Sequence, residues 1–540
     1  MTSRLTASYY PADTSLSVWD MTTGDALRRA AERAGHLCAL VEVAHESVPA
    51  VSKGSNADRR WTYSELLADA EACARWLLDR FEPGDHICLW APNVPEWIIV
   101  QYGAAFAGLV LVTANPSLRA EELQHVLEQS DSKAIIHSKA FRGTDMEQIA
   151  STAASAIDRI PIEDLAVTLS QWRNSSTLPE VSPHAAAQMQ FTSGTTGRPK
   201  GALLSHRALV TNAAFVAARM GQSGDTVVTA MPLFHTAGSV LGVLGAVTSL
   251  STMVLPVIFD PVLMLATIAQ ERATVTCCVP TMLSAMIAEI DRGAYDLSSL
   301  RMVYSGGAPV APEMLARVEQ RFGCRMTSVY GQTELSPIVC ATGYDDSSED
   351  RAETTGRPLP QVEIRIVSPD GEEPLPLNEQ GEIQARGYQT MIAYHNQEKE
   401  TARTLLADGW LRTGDLGRMD ERGYVRVTGR LSDVIIRGGE NIYPAEIEAC
   451  LLRHPAVAEA AVFGIPDPVW GETVAACLRF VSDSEPPLAR ELKDHCRVLL
   501  SPQKTPRDWF VTSAFPLTAS GKIRKFTLSE FAIENALTPL

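Results

Sequence analysis

From residue 62 onward the chain switches repeatedly between two hydrophobic periods. Thr62 to Glu65 (TYSE) has the form of a capping box. LLADAEACARWLL behind it carries an apolar stripe at helical spacing, which predicts a helix. Pro83-Gly84-Asp85 closes that unit. HICLWAPN then reads as a short buried strand, followed by a helix from Pro95, and Asn115-Pro116 breaks the chain. ELQHVLEQS is the next predicted helix and KAIIHS the next strand, so strands alternate with helices as in a parallel sheet covered on both faces. Before residue 60 only one helix, near Asp25 to Arg33, stands out, and residues 139 to 185 read as connections.

The same alternation continues downstream. SHRALVTNAAFVAARM predicts a helix starting at Ser205, TVTCCVPTM a buried strand ending in a turn, and RMVYS and CRMTSV further strands. From residue 362 the period becomes two: VEIRIV and GEIQARG alternate around a turn at Asp370-Gly371, marking a smaller β-rich subdomain. A boundary follows at TGRLSDVIIRGG. Beyond it IIRGG, a helix with Pro444 in its first turn, AVAEAAVFG and VAACLRFV form a separate unit. The chain is therefore α/β: residues 1–430 form a large N-terminal domain of doubly covered sheets plus the β-rich subdomain, residues 431–433 the boundary, and residues 434–540 a small α+β domain.

Composition narrows this picture more than it changes it. At 540 residues the chain exceeds what one core supports. With 45% hydrophobic and 21% charged residues it has the make-up of a globular protein. The net charge of −17, without a basic run, argues against a nucleic-acid partner. Ten cysteines without C-x-x-C spacing suit buried free thiols better than disulfides or zinc. The N-terminus has no secretory pattern, and the most hydrophobic stretch, Trp97 to Val112, is too short and too polar to span a bilayer. The expectation is a cytoplasmic enzyme.

The candidate chemistry centres on FTSGTTGRPKG. Thr192, Ser193, Thr195 and Thr196 alternate with Gly194 and Gly197, and Lys200 follows. Glycines let backbone N–H groups converge on an anion, hydroxyls donate further bonds, and lysine adds a compact positive charge. A surface linker has the same composition, and the common P-loop needs a different glycine spacing. Four further segments carry candidate chemistry. His235 lies in MPLFHTAG, Gly306 and Gly307 in SGGAP at a strand end, Tyr330 to Glu334 in YGQTE, and Lys522 in PLTASGK. An aromatic can stack on a base, a threonine can bind phosphate, and a carboxylate can hold Mg²⁺ beside phosphate oxygens.

In order and wording these segments resemble the signature motifs of the adenylate-forming (AMP-binding) superfamily, most like a free-standing acyl-CoA synthetase. The resemblance runs from residue 188 to about 526. It implies that Thr192, Ser193, Gly194, Thr195, Thr196, Gly197 and Lys200 grip the ATP phosphates, and that Gly306, Gly307, Ala308, Tyr330 and Gly331 border the adenine. It assigns Thr333 to phosphate, Glu334 to Mg²⁺, Asp415 to the ribose hydroxyls and Arg430 to a second nucleotide contact. His235, Gly238, Gly307, Gly331 and Pro337 would line the acid pocket, and Lys522 would be the catalytic lysine of adenylation, with Thr333 and Glu334. The C-terminal domain would be mobile, turning about Ser432 to bring Gly438 and Gly439 to the thiol's channel. Relatives commonly carry Asp or Lys at the hinge, so Ser432 is a departure.

The resulting expectation is an ATP-dependent carboxylic acid:CoA ligase that uses ATP, Mg²⁺ and coenzyme A and forms an acyl-adenylate before the thioester. The wording RGGENIYPAEIE and GIPDPVWGE favours CoA as the acceptor. Loading of a separate acyl carrier protein and a luciferase-like oxidation of the adenylate are the alternatives. The Gly238, Gly242, Gly245 and Ala246 series leaves two readings open, room along a helix face or tight helix packing. Fatty, aryl and bulky polycyclic acids all remain as substrates, as does any oligomeric state.

Overall fold

The computed structural model describes residues 4–45, 59–172, 176–192, 199–307, 310, 312–481, 486–517 and 523–540. Ser193, Gly194, Thr195, Thr196, Gly197, Ala308 and Lys522 lie outside the described residues. The chain divides into two compact units, Tyr10–Ile364 with Gln384–Arg412, and Met1–Tyr9 with Arg365–Ile383 and Thr413–Leu540.

The larger unit is built on two sheets. One has seven strands, in the order Ala393–Tyr394, Lys200–Ser205, Ala186–Thr192, Val110–Thr113, His86–Trp90, Ala134–His137 and Asp158–Pro161. Its last five run parallel, as the strand–helix alternation predicted. The nine-stranded sheet has a parallel centre: Thr252–Pro256, Thr226–Val228, Val275–Cys277, Met302–Ser305 and Arg325–Gly331. Val228, Val254, Val303 and Met326 pack there against Met264, Leu265, Leu283, Met286, Leu315 and Val318 of three helices. On the other sheet Cys88, Val112, Ile135 and Met189 face Leu123, Val126 and Met146.

The local signals behave as their chemistry dictates. Thr62 caps the helix Tyr63–Leu78 by accepting from the Glu65 N–H, while the Glu65 carboxylate accepts from the Thr62 N–H. The hydrophobic stretch Trp97 to Val112 lies largely in the helix Pro95–Ala107, every residue of which is buried. Among the described residues no helix is long and apolar enough to cross a membrane. All ten cysteines are free thiols, and nine are buried.

In the smaller unit the strands Val457–Asp467 and Gly471–Phe480 form a long antiparallel pair with two buried faces. Val462, Val474, Ala476 and Leu478 meet Ile447, Leu451 and Leu492 on one side. The alternate residues Ala461, Phe463, Ala475 and Cys477 meet Leu528 on the other. The side-chain period of two thus carries helices on both faces of one sheet. Leu411–Met419 and Val425–Arg430 form a separate antiparallel pair in which Asp415 stands opposite Arg430.

Two stretches differ from the sequence reading. Residues 139–185 contain a hairpin, helices Met146–Ala153 and Leu165–Gln171, and the edge strand Asp158–Pro161, all too short for periodicity to register. The second difference bears on the candidate site. A strand that the sequence reading did not include separates Thr192 from the helix predicted from Ser205. Lys200–Ser205 is a strand that pairs antiparallel with Ala186–Thr192, and the helix His206–Arg219 starts only after it, capped by Ser205. A six-residue run holding Gly, Ala and two Leu reads equally as helix lead-in or strand. Pairing on both edges decides for the strand, because Ala202 and Leu203 also bond to Tyr394 and Ala393.

Candidate active site

Lys200 opens the returning strand of the hairpin, directly opposite Thr192. Its backbone is fixed by that pairing, and its side chain is nearly buried, at 11% exposure. A buried ammonium needs compensation. Its Nζ donates to Glu400 Oε2 at 2.5 Å and lies 5.3 Å from the centre of the Tyr394 ring. The same tyrosine's hydroxyl donates to Glu334 Oε1 at 2.7 Å. One aromatic side chain therefore stands between the lysine of the first motif and the carboxylate of the YGQTE motif.

The segment that supplies this tyrosine is a strap across both motifs. Met391 N donates to the Glu334 carbonyl, Ile392 N to the Leu203 carbonyl and His395 N to the Gly201 carbonyl. Ala393–Tyr394 then forms the edge strand, and the short helix Glu398–Thr404 delivers Glu400. Tyr394 and Glu400 were not singled out from sequence. Ala-Tyr and Glu-Lys-Glu have no distinctive spacing, and only the edge pairing with Ala202 and Leu203 reveals them.

Glu334 is 9% exposed and sits in the single turn Thr333–Leu335. Among the described residues it has no ion-pair partner, and the phenol of Tyr394 donates to it. Burial, reinforced by the Glu334 charge, pushes the Tyr394 phenol far above its ordinary range, so it remains a neutral donor. Glu400 is the opposite case. The Lys200 hydrogen bond holds its carboxyl below the ordinary value. A buried carboxylate with a neutral donor and no counter-cation suits a hard metal ion bound chiefly by substrate oxygens.

Around these groups the backbone approaches itself closely. Tyr330, also 9% exposed, ends the strand Arg325–Gly331. A Cβ on Gly331 would lie 1.9 Å from the Pro337 carbonyl oxygen, so only glycine fits. Gly306 and Gly307 follow the strand Met302–Ser305, where open sheets place ligands. His235 is half-buried, and its Nδ1 accepts from Ala237 N at 3.2 Å. Gly238 lies against the Pro232 carbonyl and Gly242 against Met253 and Thr229, so close packing accounts for both.

In the smaller unit Asp415 is 5% exposed and accepts from Arg430 Nε at 2.8 Å. Thr413 Oγ1 accepts from the Asp415 N–H and donates to the Ile383 carbonyl, which fixes the aspartate's backbone. Leu431–Asp433 is a single turn in which Ser432 Oγ donates to Asp433 Oδ1 at 3.1 Å. Lys525 lies 4.0 Å from Asp433 and 2.7 Å from Glu448. Gly438 and Gly439 join the antiparallel strands Ile435–Arg437 and Glu440–Ile442. Their φ angles of 59° and 86° are the pair of positive values that a type I′ hairpin demands.

Comparison with known proteins places this arrangement in context. Residues 27–395 match the model of the AMP-binding enzymes, and residues 446–522 that of the AMP-binding enzyme C-terminal domain. The chain is similar to the putative acyl-CoA synthetase YngI of Bacillus subtilis, with 39% identity over 88% of this chain and 92% of that protein. It is similar to the human mitochondrial medium-chain acyl-CoA ligase ACSF2, with 33% identity over 97% of this chain and 89% of that protein. Among solved structures it resembles the o-succinylbenzoate CoA synthetase MenE of Bacillus subtilis in complex with its acyl-adenylate intermediate. The TM-score is 0.81 at 29% identity, covering 95% of this chain and 98% of that one.

Proposed function

Since the chain belongs to the AMP-binding enzyme family and is an ATP-dependent acid:CoA ligase of the AMP-forming type, we propose the following division of labour among its residues. The hairpin from Thr192 to Lys200 holds the polyphosphate. Tyr330 stacks on the adenine and Gly306, Gly307 and Gly331 border it, with Asp415 on the ribose hydroxyls and Arg430 beside it. Thr333 donates to phosphate. Glu334 would hold Mg²⁺, which when bound neutralises the charge that gathers on the phosphates. The observation that carries this reading is the placement of Lys200 and Glu334 on two sides of one tyrosine.

A carboxylate oxygen of the acid attacks the α-phosphorus, the bond to the bridging oxygen breaks, and pyrophosphate leaves with its electron pair. The acyl-adenylate is the better acyl donor because AMP leaves more readily than oxide. The CoA thiol, losing its proton, then adds to the acyl carbon and AMP departs. Fixed donors at the phosphates lower the first barrier. Lys522 serves that step. Rotation about Ser432 then brings the Gly438–Gly439 turn to the thiol. The medium-chain ligase among the relatives supports a medium-chain fatty acid as substrate.

The test measures both half-reactions across fatty, aryl and polycyclic acids, with CoA and with a carrier protein as acceptor. The reading expects pyrophosphate release to peak with medium-chain fatty acids and thioester to form on CoA. Lys522→Ala should reduce adenylation by about 10²–10³-fold while sparing thioester formation from supplied adenylate. Ser432→Pro should slow thioester formation more than adenylation. A peak with aryl acids sinks the substrate class, and equal losses in both half-reactions sink the division between the domain's two faces.

A further inference from the structure

Lys200 in the free protein already has an anionic partner. Glu400 Oε2 lies 2.5 Å from its Nζ, and the other carboxylate oxygen accepts from Arg403 Nη1 at 2.6 Å. The backbone of Lys200 is held in place: its Cα pairs opposite Thr192, and the carbonyl of Gly201 next to it accepts from His395 N. Glu400, by contrast, stands on a helix of seven residues, its side chain 24% exposed, and Arg403 on the same helix is largely in solvent. If Lys200 turns to another anion, Glu400 keeps a cation. We propose that Glu400 is a positioning residue that stands in for the polyphosphate on Lys200: it occupies the lysine before ATP binds, yields it to the triphosphate, and reclaims it as pyrophosphate leaves. The proposal rests on the reading of the Thr192–Lys200 hairpin as the polyphosphate grip.

The physical argument is one of competition. A nearly buried ammonium must be compensated at every stage. With Glu400 present, that compensation is intramolecular and always available, so the lysine does not have to retain pyrophosphate to stay neutralised. Glu400 also sets a negative charge beside the place where phosphate oxygens meet Lys200, and like charges repel. Both effects weaken the ground-state grip on ATP and on pyrophosphate. They hasten release of the leaving group at the expense of tighter binding, the trade that favours turnover when substrate is plentiful.

The experiment uses the full-length protein and two ligands, ATP and inorganic pyrophosphate. Dissociation constants are measured calorimetrically for the native chain, Glu400→Gln, Lys200→Met and the double variant. Glu400→Gln should lower both constants by roughly three- to fivefold, the scale of one partly exposed ion pair. It should leave them unchanged in the Lys200→Met background, because Glu400 acts through that lysine. Glu400→Ala must move both constants in the same direction as Glu400→Gln. Weaker or unchanged binding in Glu400→Gln, or an equal shift when Lys200 is already gone, overturns the proposal while leaving the grip intact. Lys200→Met binding both ligands as tightly as the native chain would overturn the grip itself, and this proposal with it.

Discussion

Two buried carboxylates, one in each unit, face the same electrostatic problem and are given different solutions. Asp415, 5% exposed, accepts from the guanidinium of Arg430 at 2.8 Å. Glu334, 9% exposed, accepts from a phenol at 2.7 Å and has no ion-pair partner among the described residues. A neutral hydrogen bond offsets only part of the cost of burying a charge. Asp415 is thus suited to accept from neutral hydroxyls, since its charge is already balanced. Glu334 is suited to a cation that arrives with the substrate. The contrast supports the proposed roles, sugar for one and metal for the other, on grounds separate from the motif wording.

The largest expected effect follows from the uncompensated carboxylate. Glu334→Gln keeps the shape and the acceptor for Tyr394 but removes the charge. Adenylation should fall by about 10²–10³-fold, with the half-saturating Mg²⁺ concentration raised, when pyrophosphate release is followed across a magnesium titration. A loss that is independent of magnesium would show that Glu334 serves packing and not metal. Asp415→Asn should behave differently. Arg430 is half exposed and regains water when its partner turns neutral, so the variant loses charge-assisted acceptance without stranding a buried cation. The KM for ATP should rise roughly 5- to 100-fold with kcat little changed, as expected for a lost hydrogen bond made equally in ground and transition states. If kcat falls and KM does not, the two carboxylates have exchanged roles.

The sequence carried the elements and the motifs further than it carried their meeting. Capping at Thr62, the Pro95 and Pro444 helix starts and the alternating strands around residues 457–480 are local effects, and local residues decide them. Gly331 is legible as a conspicuous glycine but not as a contact with Pro337, which depends on a chain reversal through Ser336. The helix predicted from Ser205 is present as His206–Arg219, but the strand Lys200–Ser205 before it was not legible, because its partners on both edges lie far away in sequence or across the loop. Glu400 and Tyr394 were illegible for the same reason. They lie about 200 and 60 residues from the groups they touch, and no spacing rule reaches that far.

The finest test of the contrast is Tyr394→Phe, which removes the hydroxyl and leaves the ring. The ring facing Lys200 is retained, so the lysine side of the site should be undisturbed. The hydroxyl on Glu334 is lost, and with it the donor that holds the carboxylate in one orientation. The expected result is a two- to tenfold rise (roughly) in the half-saturating Mg²⁺ concentration, the scale of one hydrogen bond to a charged group. Binding of ATP in the absence of magnesium should not move. The alkaline limb of the pH profile should also stay where it is in the native chain, because the Tyr394 phenol is held protonated far above the assay range by burial and by Glu334. A displaced alkaline limb in Tyr394→Phe would mean that the phenol titrates during turnover and that Glu334 has a changing partner, not a constant neutral one. An unmoved magnesium requirement would mean that Glu334 is held by something other than the tyrosine, and the distinction from Asp415 would then rest on charge alone.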